Sequence, residues 1–451
     1  MTTDSPESLL ALHGGPKTFE APPPPRRLFG VEEKEAVMQL FDRAIEEGSH
    51  ILGYNGVEEE SYCREFAEFM GGGFADGVNS GTNAVFVALR ALELEPFSEV
   101  ITPPVSDPGG VMPVALCNLI PVPADSVPGQ YNTGAEQIEA RITPRTRAIL
   151  VAHISGHPVD MEPVMALARR HGLLVIEDCA QAHGATIRCS SLCTDCKEAG
   201  ATVCRGRKAG TFGDVAAFST MFGKHHATGG QGGIVFTRNE DIYWRVRRHA
   251  DRGKPFGISL GAGAGAGVGS ASAGGANAVA ALNCNMDELH ACIGRVQLGK
   301  LPGFIAGRRD LAARIQDGCG SLAGVRLEGD PPHGKSCYWF LLLRFDADAY
   351  RVNKAQFVEA LTAEGIPCLA GYRHYPSRMI WSQRQQVFGT SGLPWRGGPA
   401  EFQNAAEYPL PNAEAVDAVH FLIFSTEEWS SVDADLTVAA LQKVDAAYRK
   451  I

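Results

Sequence analysis

The chain has 451 residues, 45% of them hydrophobic and 20% charged, and a formal net charge of −10. This is ordinary soluble globular usage, which excludes the disordered and fibrous classes and leaves room for a large α/β domain plus a smaller one. A negative global field opposes association with nucleic-acid phosphates, so no nucleic-acid partner is expected.

The first ten residues, MTTDSPESLL, are acidic and lack the basic and apolar regions of a secretory signal, so the expected location is cytoplasmic. The one long uncharged stretch, Gly257 to Met286, is dominated by Gly, Ala and Ser, too weakly apolar to cross a bilayer, and no membrane association is expected. Twelve cysteines without a signal favour reduced thiols over a disulfide framework.

In chain order, residues 1–28 read as an extended lead-in, because the proline-rich run Ala21 to Arg27 cannot be helical. A large domain is expected over 29–256. It opens with amphipathic helices at Glu32 to Glu47 and Val57 to Phe69, stopped by Gly71, Gly72 and Gly73. Strand-like runs follow at Glu99–Thr102, Ile120–Val122, Ala148–His153, Leu173–Asp178, Asp214–Ser219 and Gly233–Thr237, with helical stretches at Thr82–Leu92 and Met161–His171. Strands separated by helices of this length predict parallel βαβ units and an open α/β sheet whose ligands collect at strand ends. A Gly/Ala-rich loop over 257–282 leads to a helix at Met286–Leu301. The expected small α+β domain, 283–451, then contains the strand-like SCYWFLLLRF and a last helix near Val432 to Arg449.

Three segments carry chemistry. VIEDCAQAHGA ends a buried strand in Glu177 and Asp178, where α/β sheets keep their sites, although an isolated Asp there also serves as a helix cap. FSTMFGKHHATGGQGG places Lys224 five residues past Ser219 and closes in a glycine-rich turn, which suits a Schiff-base lysine beside a flat cofactor. NSGTNAVFVAL reads as a turn and a helix start, where the amides of Gly81, Thr82 and Asn83 would attract phosphate; alone it is an ordinary cap.

The order SGT, EDxAQxHGA, FSxxxxK and paired glycines resembles the DegT/StrS-type sugar aminotransferases, fold-type I enzymes that use pyridoxal 5′-phosphate (PLP) and include 3-amino-5-hydroxybenzoate synthase. The resemblance extends through TPRTRAILVAHISGHPVDMEPVMALARRHGL, NCNMDELHACIGRVQL and PNAE. It implies a large, mostly parallel-sheet domain with a smaller C-terminal α+β domain, and a transfer of an amino group from glutamate or glutamine to a keto sugar, nucleotide-linked keto sugar or cyclitol. Lys224 would carry PLP, Asp178 would hold its ring nitrogen, and Gln181 would stand near its phenolic oxygen. Ser219, Gly81 and Thr82 would bind its phosphate. Asn283 would reach the phosphate in the neighbouring subunit of a homodimer. His374 and Tyr375, in YRHYPS, resemble the substrate-side loop.

A related branch replaces the lysine by histidine and is a 3-dehydratase; here His225 and His226 directly follow Lys224, but the Ser219-to-Lys224 interval matches the catalytic position. A non-catalytic protein on the same fold is the third alternative. Two departures bear on substrate: Val105 stands where relatives carry a ring stacked on the cofactor, and Asn285 where they carry an arginine. The run YWRVRRHADRGK, with Arg245, Arg247, Arg248 and Arg252, is either a solvated helix face or a binder of a substrate diphosphate. Finally, Cys189, Cys193, Cys196 and Cys204, spaced C-x3-C-x2-C-x7-C, lie in an insertion at 187–206 that relatives generally lack. Four thiolates so close can form a structural zinc shell, with reversible disulfides or an iron–sulfur cluster as alternatives.

Overall fold

The β-branched runs of the first half become one seven-stranded sheet. The computed structural model describes residues 6–189, 206–258 and 277–450. In chain order the strands are β1 (Phe74–Val78), β2 (Glu99–Thr102), β3 (Ile120–Pro123), β4 (Thr146–Ala152) and β5 (Leu174–Asp178), then the two-residue β6 (Thr186–Ile187) and β7 (Arg207–Lys208), then β8 (Val215–Ser219) and β9 (Gly233–Thr237). The main sheet runs β1-β9-β8-β5-β4-β2-β3. Neighbours from β3 to β8 pair in parallel, and β9 alone is reversed, pairing antiparallel with both β8 and β1. β1, with Asp76 and Gly77 in its middle, is the strand the hydrophobic pattern does not show.

Helices cover both faces. α1 (Val31–Glu47) and α2 (Val57–Phe69) precede β1, and α3 (Gly81–Ala91) packs on β8 and β9. One apolar core joins Phe66, Ile149, Val175 and Phe218; on the opposite face a second joins Val85, Leu89, Leu150 and Ile176. This alternation of Ile149 with Leu150, and of Val175 with Ile176, is what strands buried on both faces require.

The remaining strands are β10 (Val325–Leu327), β11 (Gly334–Lys335), β12 (Leu341–Phe345), β13 (Cys368–Leu369) and β14 (His420–Ile423). β10, β12, β14 and β13 form an antiparallel sheet, covered by helices Lys354–Ala363 and Ser431–Tyr448 around Phe345, Phe357, Phe421 and Leu441. Leu10 and Phe19 of the lead-in are buried in this same core, and Glu364 holds the lead-in by accepting from Ala11 N (2.8 Å) and Thr18 N (2.9 Å).

The helix expected to end at Leu301 continues to Cys319, running through Pro302. Proline removes one backbone donor and usually ends a helix. Here the 32-residue helix is held from both sides: Ala291, Leu298, Leu301 and Ile305 lie in the core of the large sheet, and Leu311, Ala312 and Ile315 in that of the smaller one.

Candidate active site

β5 and β8 are neighbours, and their carboxyl ends carry Asp178 and the approach to Lys224. Asp178 ends β5, and the next amide, Cys179 N, donates to Ala217 O of β8 at 2.8 Å. The Asp178 carboxyl is buried; Oδ1 accepts from Ala180 N at 3.0 Å. Burial raises its pKa, opposed by that N–H bond and by Lys224.

Lys224 sits on the turn after β8, closed by Lys224 N donating to Met221 O at 2.9 Å and Thr228 N to Thr220 O at 3.0 Å. Its amine is buried, with Nζ 4.0 Å from the centroid of the Trp339 ring. Burial lowers its pKa to about 8, against the pull of Asp178 and Asp107. A lysine brought this near neutrality is a far better nucleophile and proton acceptor than an exposed one.

The N-terminus of α3 closes the site. Ser80 caps it, its Oγ accepting from Asn83 N at 3.1 Å, and Gly81 and Thr82 form the first turn. A Cβ on Gly81 would stand 2.5 Å from Cβ of Ser219, so a glycine is needed for this helix end to seat against the end of β8. The result is a helix N-terminus beside a serine hydroxyl, an arrangement that attracts anions. Across it folds the segment Asp107–Gly110: a Cβ on Gly109 would overlap Thr82 Oγ1, and one on Gly110 would stand 2.6 Å from Asp178 Oδ2. Gln181 is fixed at both ends, Oε1 accepting from Ser155 N (2.8 Å) and Nε2 donating to Tyr372 OH (3.0 Å).

The structure thus brings Lys224, Asp178, Gly81, Thr82 and Ser219 together. His374 is exposed at the edge, stacked on Tyr372 at 4.7 Å, and its carbonyl accepts from Ser106 N at 3.0 Å. Tyr375 OH donates to Ala413 O at 3.1 Å. Asn283 is exposed, and its Oδ1 accepts from Asn285 Nδ2 at 2.7 Å; the same amide donates to Asp251 at 3.0 Å. The basic run is engaged locally: Arg248 with Phe256 O (2.6 Å), Arg247 with Asp76 (3.1 Å), Arg245 with Glu93 (3.1 Å) and Arg252 with Asp251 (3.0 Å). Val105 is buried among Tyr131, Phe340 and Tyr372.

Cys193, Cys196 and Cys204 lie outside the described residues; Cys189, at their edge, is half-buried. Among the described residues, His153, Glu177 and Cys179 come close enough to share an ion. The acceptor atoms of Glu177 and His153 are already used. Glu177 accepts from His153 (3.1 Å) and from the amides of Gly210 (2.8 Å), Phe212 and Gly213 (both 2.7 Å), while His153 Nδ1 accepts from Val159 N (2.9 Å). This is a clasp between β5 and the segment leading to β8, and the expected zinc finds no support in it.

Sequence reasoning missed Trp339, Asp107 and Tyr372. SDPGG after a strand end was a readable signal for Asp107, because Asp before Pro-Gly caps a tight turn. Nothing local marks Trp339 or Tyr372, which arrive from the smaller sheet.

The model of the DegT/DnrJ/EryC1/StrS aminotransferase family matches residues 32–391. The chain belongs to this family. Its relatives include a dTDP-3-amino-3,4,6-trideoxy-alpha-D-glucose transaminase of Streptomyces venezuelae, 31% identical over 334 residues, 74% of this chain and 76% of that one. A dTDP-4-dehydro-2,6-dideoxy-D-glucose 3-dehydratase of Saccharopolyspora spinosa is 29% identical over 355 residues, 73% of this chain and 72% of that one. The crystal structure of an aminotransferase from Psychrobacter cryohalolentis superimposes with a TM-score of 0.75 at 27% identity, covering 93% of this chain and 98% of that one. The protein is therefore an α/β enzyme of the DegT/DnrJ/EryC1/StrS aminotransferase family, with the expected fold class.

Because the family's relatives include both a transaminase and a dehydratase, the orientation of the residues after Lys224 matters. His225 Nε2 pairs with Cys337 O (3.1 Å), and His226 Nε2 with Tyr62 OH (3.0 Å) and Gly294 O (3.1 Å). Both imidazoles are fully buried in the core, and it is the amine of Lys224 that faces the Asp178 strand end.

Proposed function

We propose that the enzyme moves an amino group from an amino-acid donor, glutamate or glutamine, to the keto group of a sugar, nucleotide-linked sugar or cyclitol, using PLP held covalently by Lys224. The observation that carries this reading is the meeting, at the ends of two adjacent strands, of a buried amine, a buried carboxylate and a glycine-opened helix N-terminus. These residues fit PLP. The narrow approach of Gly81 to Ser219 forms a cradle that a Cβ would fill, which suits a phosphate held by the α3 amides, Thr82 and Ser219.

When bound, PLP supplies an electron sink for the carbon from which the amino group leaves. Asp178 keeps the ring nitrogen protonated, and its burial gives that charge pair a low-dielectric setting. With PLP bound, the Lys224 amine would be the group placed to take a proton from the donor α-carbon and to return it. Gln181, immobilised by Ser155 and Tyr372, would be the residue near the phenolic oxygen. His374 and Tyr375 line the substrate side, with Arg248 as a further contact. Asn283 reaches the phosphate of the other subunit in a homodimer. The setting is cytoplasmic; no helix among the described residues is long and apolar enough to cross a membrane. The four insertion cysteines would form the ligand set of a structural zinc; elemental analysis of untagged protein tests this, and a metal-free sample overturns it.

The deciding experiment incubates the purified protein with glutamate or glutamine and a panel of keto sugars. Donor-dependent loss of the cofactor's visible absorbance with an aminated product supports the proposal. Loss of a sugar hydroxyl with no aminated product identifies a dehydratase instead.

A further inference from the structure

The turn that carries Lys224 is held from outside at three consecutive carbonyls. Arg26, in the proline-rich lead-in, donates from Nη1 to Phe222 O at 2.8 Å and from Nη2 to Lys224 O at 2.5 Å. Between them, Gly223 O accepts from Nε1 of Trp339 at 3.1 Å, and the same indole ring lies under the Lys224 amine. Neither donor is free to wander. Arg26 Nε is paired with Glu427 Oε1 at 2.6 Å, and the other carboxylate oxygen of Glu427 takes Arg308 Nη2 at 2.7 Å. Arg308 is buried, and its Nη1 holds the carbonyls of Tyr338 (3.0 Å), Trp339 (3.2 Å) and Ser425 (3.1 Å). A closed chain of contacts therefore runs from Arg26 through Glu427 and Arg308 to Trp339, and both of its ends grip the Lys224 turn.

Turn carbonyls on a partly exposed loop are ordinarily left to water. Here Phe222 itself is 62% exposed, yet its carbonyl and the next two are all claimed by side chains distant in sequence. Arginine suits this task because its planar fork fixes two acceptors at once, a geometry that lysine cannot reproduce. An amine must meet its reaction partner within a fraction of an ångström, so the backbone that carries it has to be stiff.

We propose that Arg26 and Trp339 are positioning residues for Lys224, and that the proline-rich lead-in is a strap that fixes the turn from which the lysine reaches the cofactor. The proposal rests on the reading of Lys224 as the cofactor-bearing lysine. Proline in the strap serves it, since a segment already restricted in the unfolded chain loses less entropy on being laid across the surface.

The test uses cofactor-stripped, full-length protein and measures acetylation of Lys224 by acetic anhydride across pH, read by peptide mass spectrometry. The charged groups that face the amine are Asp178 and Asp107, and both are left in place. Wild-type labelling should have its midpoint near pH 8. Arg26→Met and Trp339→Phe should each raise that midpoint by about one unit or more as the turn swings toward water, and Arg26→Lys should recover part of the shift. In the loaded enzyme the same variants should lower kcat about tenfold or more with the donor KM unchanged. Unchanged midpoints in both variants, with thermal unfolding preserved, overturn the strap. If Arg26→Met fails to fold, Trp339→Phe, which keeps an aromatic ring beneath the amine but removes the N–H together with the fused pyrrole ring, decides alone. Because the labelling uses no PLP, failure of PLP to attach to wild-type Lys224 defeats the functional reading separately.

Discussion

Gly110 approaches Asp178 so closely that a Cβ built on it would stand 2.6 Å from Oδ2. The carboxylate is thus pinned by backbone on one side and by Ala180 N–H on the other. Gly110→Ala should push the carboxylate off its position and weaken PLP binding, at a strain of about 1–3 kcal/mol. Gly81→Ala, facing Ser219, should act similarly on the phosphate side. Cofactor titration followed by visible absorbance checks both; wild-type affinity in both variants would show that neither approach matters.

Lys224→Ala should abolish borohydride-stable attachment of PLP to the protein. Asp178→Asn should retain some cofactor but slow turnover by on the order of a hundredfold, because a neutral amide cannot balance a protonated ring nitrogen. Single-turnover kinetics on the two variants separates attachment from chemistry.

The strand ends and the lysine turn were legible because both are local: a β-branched run followed by Glu177-Asp178, and a serine-to-lysine interval followed by paired glycines. Most of the large sheet was legible for the same reason. What the sequence hides is where distant segments meet. Trp339 and Arg26 lie 115 residues after and 198 residues before Lys224, and each looks locally like part of an apolar run or a basic patch. The helix beyond Pro302 escaped because a proline is a strong local stop that tertiary packing overrode.

Tyr372→Phe should destabilise the protein by about 1–3 kcal/mol, since it leaves the buried Nε2 of Gln181 without its acceptor. Urea unfolding monitored by circular dichroism measures the loss. Replacing Gln181 by Leu as well should not recover it, because the buried Ser155 N–H then loses its own acceptor.

Burial drives His183, His225 and His226 below the ordinary histidine range, His226 to about 4. Below pH about 6.5 the unfolded chain takes up protons that these folded histidines refuse, so their contribution to stability falls as pH falls toward 4. Burial pushes Glu59 up to about 8 and Asp76 up to about 6, which acts in the opposite sense over part of this range. The difference between wild type and His226→Gln isolates one imidazole. The variant's stability should be less steeply dependent on pH between 6.5 and 4, by up to about 1.4 kcal/mol per pH unit. Parallel curves would show that His226 titrates normally.

Mixing inactive Lys224→Ala chains with inactive Asn283→Ala chains, after a refolding cycle that exchanges subunits, should restore part of the activity if each site draws on both copies. No recovery in a sample shown by light scattering to contain mixed dimers would confine each site to one chain.

The helix Glu288–Cys319 is the axle on which both sheets are mounted: its first turns belong to one core and its last to the other. Neither core can melt without stripping apolar partners from the shared rod. Heat should therefore meet the enzyme as one body, with calorimetric and van't Hoff enthalpies in agreement, although the two larger sheets among the described residues have separate cores and the chain has 451 residues. The proline at 302 marks the place where that rod is weakest, because Leu298 lacks the amide that would normally bond its carbonyl. Replacing Pro302 by alanine restores the missing bond and should stiffen the coupling between the sheet that holds Asp178 and the sheet that delivers Trp339.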